Sequence, residues 1–270
     1  MTIPGRLVLL GHPLGHSLSP LFQNAALVAA GIPLKYELVD VPRSVLDETL
    51  ASLKRAQAAG NVTIPHKEAV RNSCDRLTDT ARAVGAVNTF WTAVDGAMVG
   101  DNTDVGGFQA AITSLLGAPR ENEVVALLGA GGGAAAVLHA IEGWSGARVR
   151  LYSRTHDRAE ELVERFKVPG EVVRSAESAV EGATLVVNAT PVGLRDDTVP
   201  VSVHSLPKGC AVLDLAYKAG ETAFVRDARA RGLRAMDGLT MLLEQGALSF
   251  ERWFGRAPDR DVMWSAIKSS

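Results

Sequence analysis

The stretch from Val124 to Ile141 constrains this chain more than any other. An apolar run, Val124 to Leu128, leads straight into Gly129-Ala130-Gly131-Gly132-Gly133-Ala134, and small residues continue to Ile141. Apolar strand, glycine turn and small-residue helix, in that order, describe the βα unit that opens a doubly wound sheet. One glycine makes the tight turn and another lets the backbone approach a pyrophosphate. A small residue in the last place, here Ala134, lets the helix pack on the strand. Amides at the helix N-terminus then face the phosphates. In this context the turn points to a dinucleotide; an ordinary glycine-rich βα turn of a flavodoxin-like domain is the alternative.

The next strand, Val149 to Tyr152, separates the two dinucleotides. An NAD site carries a carboxylate about 20 residues after the glycines, for the ribose 2′-hydroxyl. Here the strand ends in Ser153-Arg154-Thr155, and Arg158 follows one turn on. Guanidinium groups suit the 2′-phosphate of NADP. The alternative, two solvated arginines, leaves cations near a helix N-terminus, where they are unfavourable without an anion. Alternation continues with a helix over Asp157–Phe166, a strand over Glu171–Arg174 and a short helix over Ser175–Val180. Strands at Thr184–Asn188 and Ala211–Leu215, a helix at Thr222–Ala230, a strand at Leu233–Met236 and a helix at Gly238–Phe254 complete a parallel sheet with right-handed crossovers.

Ahead of this unit the chain is also α/β. Arg6–Gly11 reads as a strand, Leu21–Ala30 as a helix closed by Gly31, and Lys35–Val41 as a strand. A helix from the cap Ser44 through Ala59 precedes Gly60, and a strand over Val62–Ile64 stops at Pro65. Glu68–Val84 is helical in pieces, Asn88–Val99 is a hairpin around Asp95-Gly96, and Val105–Leu116 is a helix. Gly117 to Asn122 reads as a linker. With 270 residues, one large domain and two ordinary ones are both open on length alone.

Composition removes several function classes. The formal charge of −2 argues against a nucleic-acid wrapper or a polybasic membrane binder. Cys74 and Cys210 stand far apart, which excludes a disulfide framework and a cysteine-rich zinc site and fits a reducing, cytoplasmic setting. No apolar stretch approaches the roughly 18 residues of a membrane span, and the run Leu7–Leu10 is too short for a signal peptide. Histidine spacing gives no metal signal: Pro13 and Gly15 intervene between His12 and His16, and the other histidines are isolated. No G-x-S-x-G elbow is present.

The remaining signal is in polar loops. His16-Ser17-Leu18-Ser19-Pro20 offers two hydroxyls ahead of a helix, for an anionic carboxylate or simply as an N-cap at Ser19 with Pro20 at the first helical position. Asn61 to Lys67 places a hydroxyl and an ammonium at a strand end, where open α/β sheets keep their sites. Gly85 to Thr89 and Gly100 to Asp104 add amides, hydroxyls and carboxylates, residues that are also ordinary turn formers.

Taken together and in this order, these segments resemble the shikimate dehydrogenase family: HSLSP, NVTIPHKE, GAVNT, GDNTD, GAGGG, SRT with Arg158, NATPVG from Asn188, and DGLTMLLEQGA from Asp237. The resemblance covers essentially the whole chain. It implies two domains with the site in the cleft between them: a substrate domain over 1–104 and 237–270, and a Rossmann-type NADP domain over 105–236. It implies reversible reduction of 3-dehydroshikimate to shikimate with NADPH, in aromatic amino-acid biosynthesis; the sequence leaves monomer and homodimer both open. Ser17 and Ser19 would take the substrate carboxylate; Thr63, Asn88, Asp104 and Gln245 the ring hydroxyls; Tyr217 would reach the substrate. Lys67 and Asp104 would be the catalytic pair. Gly129 to Ala134 would hold the pyrophosphate, Ser153, Arg154, Thr155 and Arg158 the adenosine end, and Gly238 and Met241 would border the nicotinamide. Relatives acting on quinate or an aminated shikimate, and a non-catalytic NADP sensor, are the competing expectations. Three positions depart from the family pattern: Ser153 replaces Asn, Gly133 replaces Ala, and Lys218-Ala219 stands where Pro or Asn-Pro is usual, which puts the rigidity of that loop in doubt.

Overall fold

The computed structural model describes residues 3–15, 17–118, 121–218 and 220–269. His16 of the first polar loop, Pro119 and Arg120 of the linker, and Ala219 lie outside the described residues. The chain forms two compact units, Met1–Gly107 with Leu242–Ser270, and Phe108–Met241. The expected boundaries at 104/105 and 236/237 fall a few residues earlier than these divisions, so Gly238 and Met241 belong to the second unit.

The first unit contains β1 (Leu7–Gly11), α1 (Ser19–Ala29), β2 (Tyr36–Asp40), α2 (Leu46–Arg55), β3 (Ala59–Val62), α3 (Lys67–Ser73), β4 (Arg76–Leu77), α4 (Asp79–Val84), β5 (Thr89–Thr92) and β6 (Met98–Asp101). Its sheet has the order β2-β1-β3-β5-β6-β4, and β5 alone runs antiparallel, against both β3 and β6. The carboxyl ends of β1, β2, β3 and β6 and the start of β5 therefore share one edge. Strand residues alternate in direction. Val8, Leu10, Val62, Phe90 and Met98 pack with Leu46, Leu50 and Leu53 of α2 and Val70 of α3.

Two differences from the sequence reading sit here. The expected helix to Ala59 ends at Arg55, and Ala59-Gly60 belongs to β3, not to a helix stop. Gly60 is required for closeness: a Cβ there would run into the backbone carbonyl and side chain of Val8 on the neighbouring strand. Ser19 is not an N-cap either. Leu18 holds that position without a side-chain cap, and Ser19 is already the first helical residue.

The second unit runs from α5 (Asp104–Leu116), whose first turn lies in the first unit, through β7 (Val124–Leu128), α6 (Gly132–Ile141), β8 (Arg148–Tyr152), α7 (His156–Arg165), β9 (Gly170–Val172), α8 (Ala176–Val180), β10 (Leu185–Asn188), β11 (Ala211–Asp214), α9 (Ala223–Ala230) and β12 (Arg234–Met236). All pairs of its sheet, β12-β11-β10-β7-β8-β9, are parallel. The central strands β10 and β11, and β7 after its first residue, are buried on both faces, as the inner strands of a parallel sheet are. Val186, Val212 and Ala235 pack with Val180 of α8 and Phe224 and Val225 of α9. The chain moves outward from β7 to β8 and β9, then returns to β10 on the other side, which makes the β7/β10 boundary the switch point where such sheets bind ligands. Helix α10 (Leu239–Phe254) re-enters the first unit, and α11 (Arg260–Lys268), which the sequence reading did not single out, starts at an N-cap, Asp259, that accepts from two amides and packs on α1.

At the carboxyl edge of this sheet, Asp214 accepts from Asn188 Nδ2 at 2.7 Å, Thr222 Oγ1 at 2.8 Å and the Ala216 amide at 3.1 Å. Those donors favour the carboxylate, but burial outweighs them and raises the carboxyl to about 6. The native state then keeps a proton that the unfolded chain releases near its ordinary value of about 3.9. Asp214's own contribution to stability should therefore fall by on the order of 3 kcal/mol as pH rises from about 4 to about 6, with no further change above. Urea unfolding of Asp214→Asn at several pH values checks this: the fall should disappear from the variant.

Candidate active site

Four residues from separate parts of the first unit converge. Lys67 opens α3, which places its ammonium beyond the carboxyl end of β3. Asn88 precedes β5, and its carbonyl accepts from the Val62 amide at 2.7 Å. Asp104 opens α5, just after the end of β6. Gln245 comes from α10. Lys67 Nζ donates to Asp104 Oδ2 at 2.6 Å, with side chains 19% and 6% exposed. Asn88 Nδ2 donates to Asp104 Oδ1 at 2.8 Å and lies within reach of Thr103 Oγ1 at 2.9 Å and Gln245 Oε1 at 3.1 Å. Asn88 thus directs its amide toward the carboxylate and its neighbours, and Lys67 is the most exposed of the four.

A second layer of polar residues, without an assigned role in the sequence, holds Asn88 in place. Asn88 Oδ1 accepts from the Thr103 amide at 2.7 Å. The Thr103 hydroxyl lies 3.0 Å from Ser249 Oγ, and Ser249 accepts from Asn61 Nδ2 at 2.7 Å. The Tyr36 hydroxyl donates to Asn61 Oδ1 at 2.8 Å. Asn61 and Thr103 were visible as polar loop residues. Ser249 carried no signal, because its partners lie far away in sequence.

Ser17, Ser19 and Thr63 lie at the same sheet edge, after β1 and β3. The Ser19 amide donates to Ser17 Oγ at 3.3 Å, so the serines define one turn. Ser17 is half-buried and Ser19 buried. Thr63 packs its methyl against Gly11, where a Cβ would come within 2.5 Å of it.

In the second unit the glycine turn leaves β7 at the switch point. Gly129 has a φ of +114°, and a Cβ there would meet the Ala189 carbonyl oxygen at 2.9 Å. Only glycine fits both the backbone and the neighbour. Ala130, Gly131, Gly132 and Gly133 are half-buried and Ala134 buried. Gly131 caps α6 without a side-chain hydrogen bond, and a Cβ on it would meet nothing within 4 Å. The first amides of α6 have no intrahelical acceptor. Open space before uncapped amides fits a pyrophosphate. Asn188 ties down the neighbouring loop, accepting from the Thr190 hydroxyl at 2.6 Å and donating to the Val192 carbonyl at 3.2 Å.

Beyond β8, Ser153 Oγ accepts from the Thr155 amide at 3.2 Å, so the shorter side chain at this departure still shapes the turn. Thr155 is the N-cap of α7 with no side-chain cap, and Arg154 and Arg158 are both exposed at that end. Exposed guanidinium groups beside an uncapped helix start fit a phosphate monoester. Among the described residues, one group of metal-capable side chains, His156, Asp157 and Glu160, gathers on the exposed first turn of α7; His156 and Glu160 pair at 3.3 Å.

Gly238 and Met241 follow β12. Gly238 packs on the backbone of Leu215, where a Cβ would collide, and its amide donates to the Ala216 carbonyl at 3.0 Å. Tyr217 is half-buried in the loop after β11. Beside it, Lys218 Nζ pairs with Asp197 at 2.5 Å and reaches the Asp196 carbonyl at 3.4 Å. These contacts tie Lys218 to the segment holding Asp196 and Asp197. The thiols offer no nucleophile: burial pushes Cys74 up to about 12 and raises Cys210, and both are free. Among the described residues no helix is long and apolar enough to cross a membrane.

Comparison with known proteins gives the family. A family model described as the shikimate dehydrogenase substrate binding domain matches residues 9–90, and one described as the shikimate 5′-dehydrogenase C-terminal domain matches residues 238–268. A shikimate dehydrogenase (NADP(+)) of Symbiobacterium thermophilum is 42% identical over 97% of this chain and 94% of its own. The shikimate 5-dehydrogenase of Thermus thermophilus, solved with NADP(H) and shikimate, is 38% identical with a TM-score of 0.87 over 98% of both chains. A quinate dehydrogenase of Corynebacterium glutamicum, solved with NAD, is 30% identical with a TM-score of 0.86 over 98% of both.

Proposed function

The chain belongs to the shikimate dehydrogenase family, and from that premise we propose that it is the NADP-dependent enzyme interconverting 3-dehydroshikimate and shikimate, with Lys67 and Asp104 as its catalytic pair. The observation that carries the residue assignment is the Lys67–Asp104 hydrogen bond at 2.6 Å, with Asp104 itself held by Asn88.

NADPH, when bound, supplies a hydride to the carbonyl carbon of the substrate. The carbonyl oxygen then gains negative charge and needs a proton. Lys67 is the acid: its ammonium stabilises the developing oxyanion and then releases a proton to it. Asp104 orients that ammonium and accepts from a substrate hydroxyl. In the reverse direction Lys67 takes the proton back from the shikimate hydroxyl. Ser17 and Ser19 hold the substrate carboxylate through their hydroxyls, and Thr63, Asn88 and Gln245 hold ring hydroxyls. Tyr217 contributes a further hydroxyl to the substrate. Gly129 to Ala134 hold the pyrophosphate at the start of α6, Gly238 and Met241 border the nicotinamide, and Arg154 and Arg158, with Ser153 and Thr155, hold the 2′-phosphate.

Steady-state rates with shikimate and quinate, each with NADP and NAD, test the substrate and cofactor together. Shikimate with NADP should give the highest kcat/KM; comparable rates with quinate and NAD would move the assignment toward quinate, and NADPH binding without turnover would make the protein a sensor. Lys67→Ala should lower kcat by at least about 10²-fold with little change in KM, and near-normal turnover would remove Lys67 from the mechanism. Arg154→Ala with Arg158→Ala should raise KM for NADP by at least about 10²-fold, since each lost charge-assisted contact is worth about 1.5–3 kcal/mol, while KM for NAD stays nearly constant.

A further inference from the structure

Asp101 is a buried carboxylate that the chemistry above does not use. It ends β6, three residues before Asp104, with its side chain 2% exposed. Its Oδ1 accepts from the Thr78 hydroxyl at 2.5 Å and from the Asn102 amide at 2.7 Å. Its Oδ2 accepts from Arg252 Nε at 2.7 Å. Asn102 passes the constraint on: Nδ2 donates to the Ala86 carbonyl at 2.9 Å, and Oδ1 accepts from the Asp104 amide at 3.1 Å.

Arg252 lies on α10 two turns beyond Gln245, with Ser249 between them, so the three share a helix face. Each meets the same polar framework: Gln245 reaches Asn88, Ser249 reaches Thr103 and Asn61, and Arg252 reaches Asp101. The first two contacts are between neutral groups. The third is ionic, and it joins a buried anion to a guanidinium whose side chain is 57% exposed. A buried carboxylate left without its cation is strongly disfavoured. Without Arg252 the segment from Asp101 to Asp104 would shift or admit water.

We propose that Arg252 and Asp101 are a positioning pair for this reaction, with Arg252 holding the segment that presents Asp104 in register with the helix that presents Gln245. The proposal rests on the reading of Lys67 and Asp104 as the catalytic pair. Misplacing a reacting group by about 1 Å costs up to about 10²-fold in rate. Arg252 touches neither substrate nor cofactor in this account, so its loss should act on turnover through Asp104.

The test uses the full chain with Arg252→Met and Arg252→Lys, and reads kcat, both KM values, and NADPH binding by fluorescence. Arg252→Met should lower kcat by about 10- to 100-fold while KM for NADP and NADPH binding stay within about twofold of the parent. Arg252→Lys, which restores one cationic donor to Asp101, should recover most of that loss. Because the guanidinium is exposed, added methylguanidinium should restore part of the turnover of Arg252→Met. Turnover of Arg252→Met within about twofold of the parent, or Arg252→Lys no better than Arg252→Met, overturns the proposal. Should Arg252→Met fail to fold, Arg252→Gln is read against the same limits. Loss of turnover in Lys67→Ala with full turnover in Arg252→Met defeats this proposal alone, whereas full turnover in Lys67→Ala defeats the catalytic assignment beneath it.

Discussion

A carboxylate as deeply placed as Asp104 is tolerated only with its charge answered, and that requirement organises the first unit. Removing such a group from water costs several kcal/mol unless it is paired and hydrogen-bonded. Lys67 answers one oxygen and Asn88 the other. Both partners must therefore arrive at the same edge, and the sheet order β2-β1-β3-β5-β6-β4 arranges this. The single antiparallel strand β5 brings its start, with Asn88, beside the ends of β3 and β6. The polar second layer of Asn61, Thr103 and Ser249 then holds the Asn88 side chain through linked hydrogen bonds.

The second unit solves a different problem with simpler means. Its sheet is parallel throughout, so all strand carboxyl ends reach one edge and all helix N-termini lie near it. What distinguishes the binding end is what is left open. Helices α8 and α9 begin with side-chain caps at Ser175 and Thr222, whereas α6 and α7 begin without them. The two uncapped starts are the ones beside the glycine turn and the arginines. Cofactor-binding groups and the catalytic pair are thus carried by separate units of the chain, joined through α5 and α10.

Much of this was legible in the sequence wherever the cause is local. β7 was read residue for residue, since five apolar residues ending at glycine admit few alternatives. The hairpin of β5 and β6 followed from Asp95-Gly96. Lys67, Asn88, Asp104 and Gln245 were named through motif resemblance, and the hydrogen bonds among them join groups up to 157 residues apart. Where the cause is a distant neighbour, the reading failed. Gly60 looks like a helix stop until Val8 is seen pressing on it. Ser249 and Arg252 look like ordinary residues of a long helix, because Thr103 and Asp101, which explain them, are nowhere near in sequence.

The central claim is that Lys67 and Asp104 act as one unit on one proton. A double-mutant cycle on kcat measures that directly, using Lys67→Ala, Asp104→Asn and the combination under saturating shikimate and NADP. Groups that act as a unit show strongly non-additive losses. The account predicts that the double variant is about as slow as the slower single variant. Losses that multiply in the double variant would mean that the two residues work independently, and would contradict it.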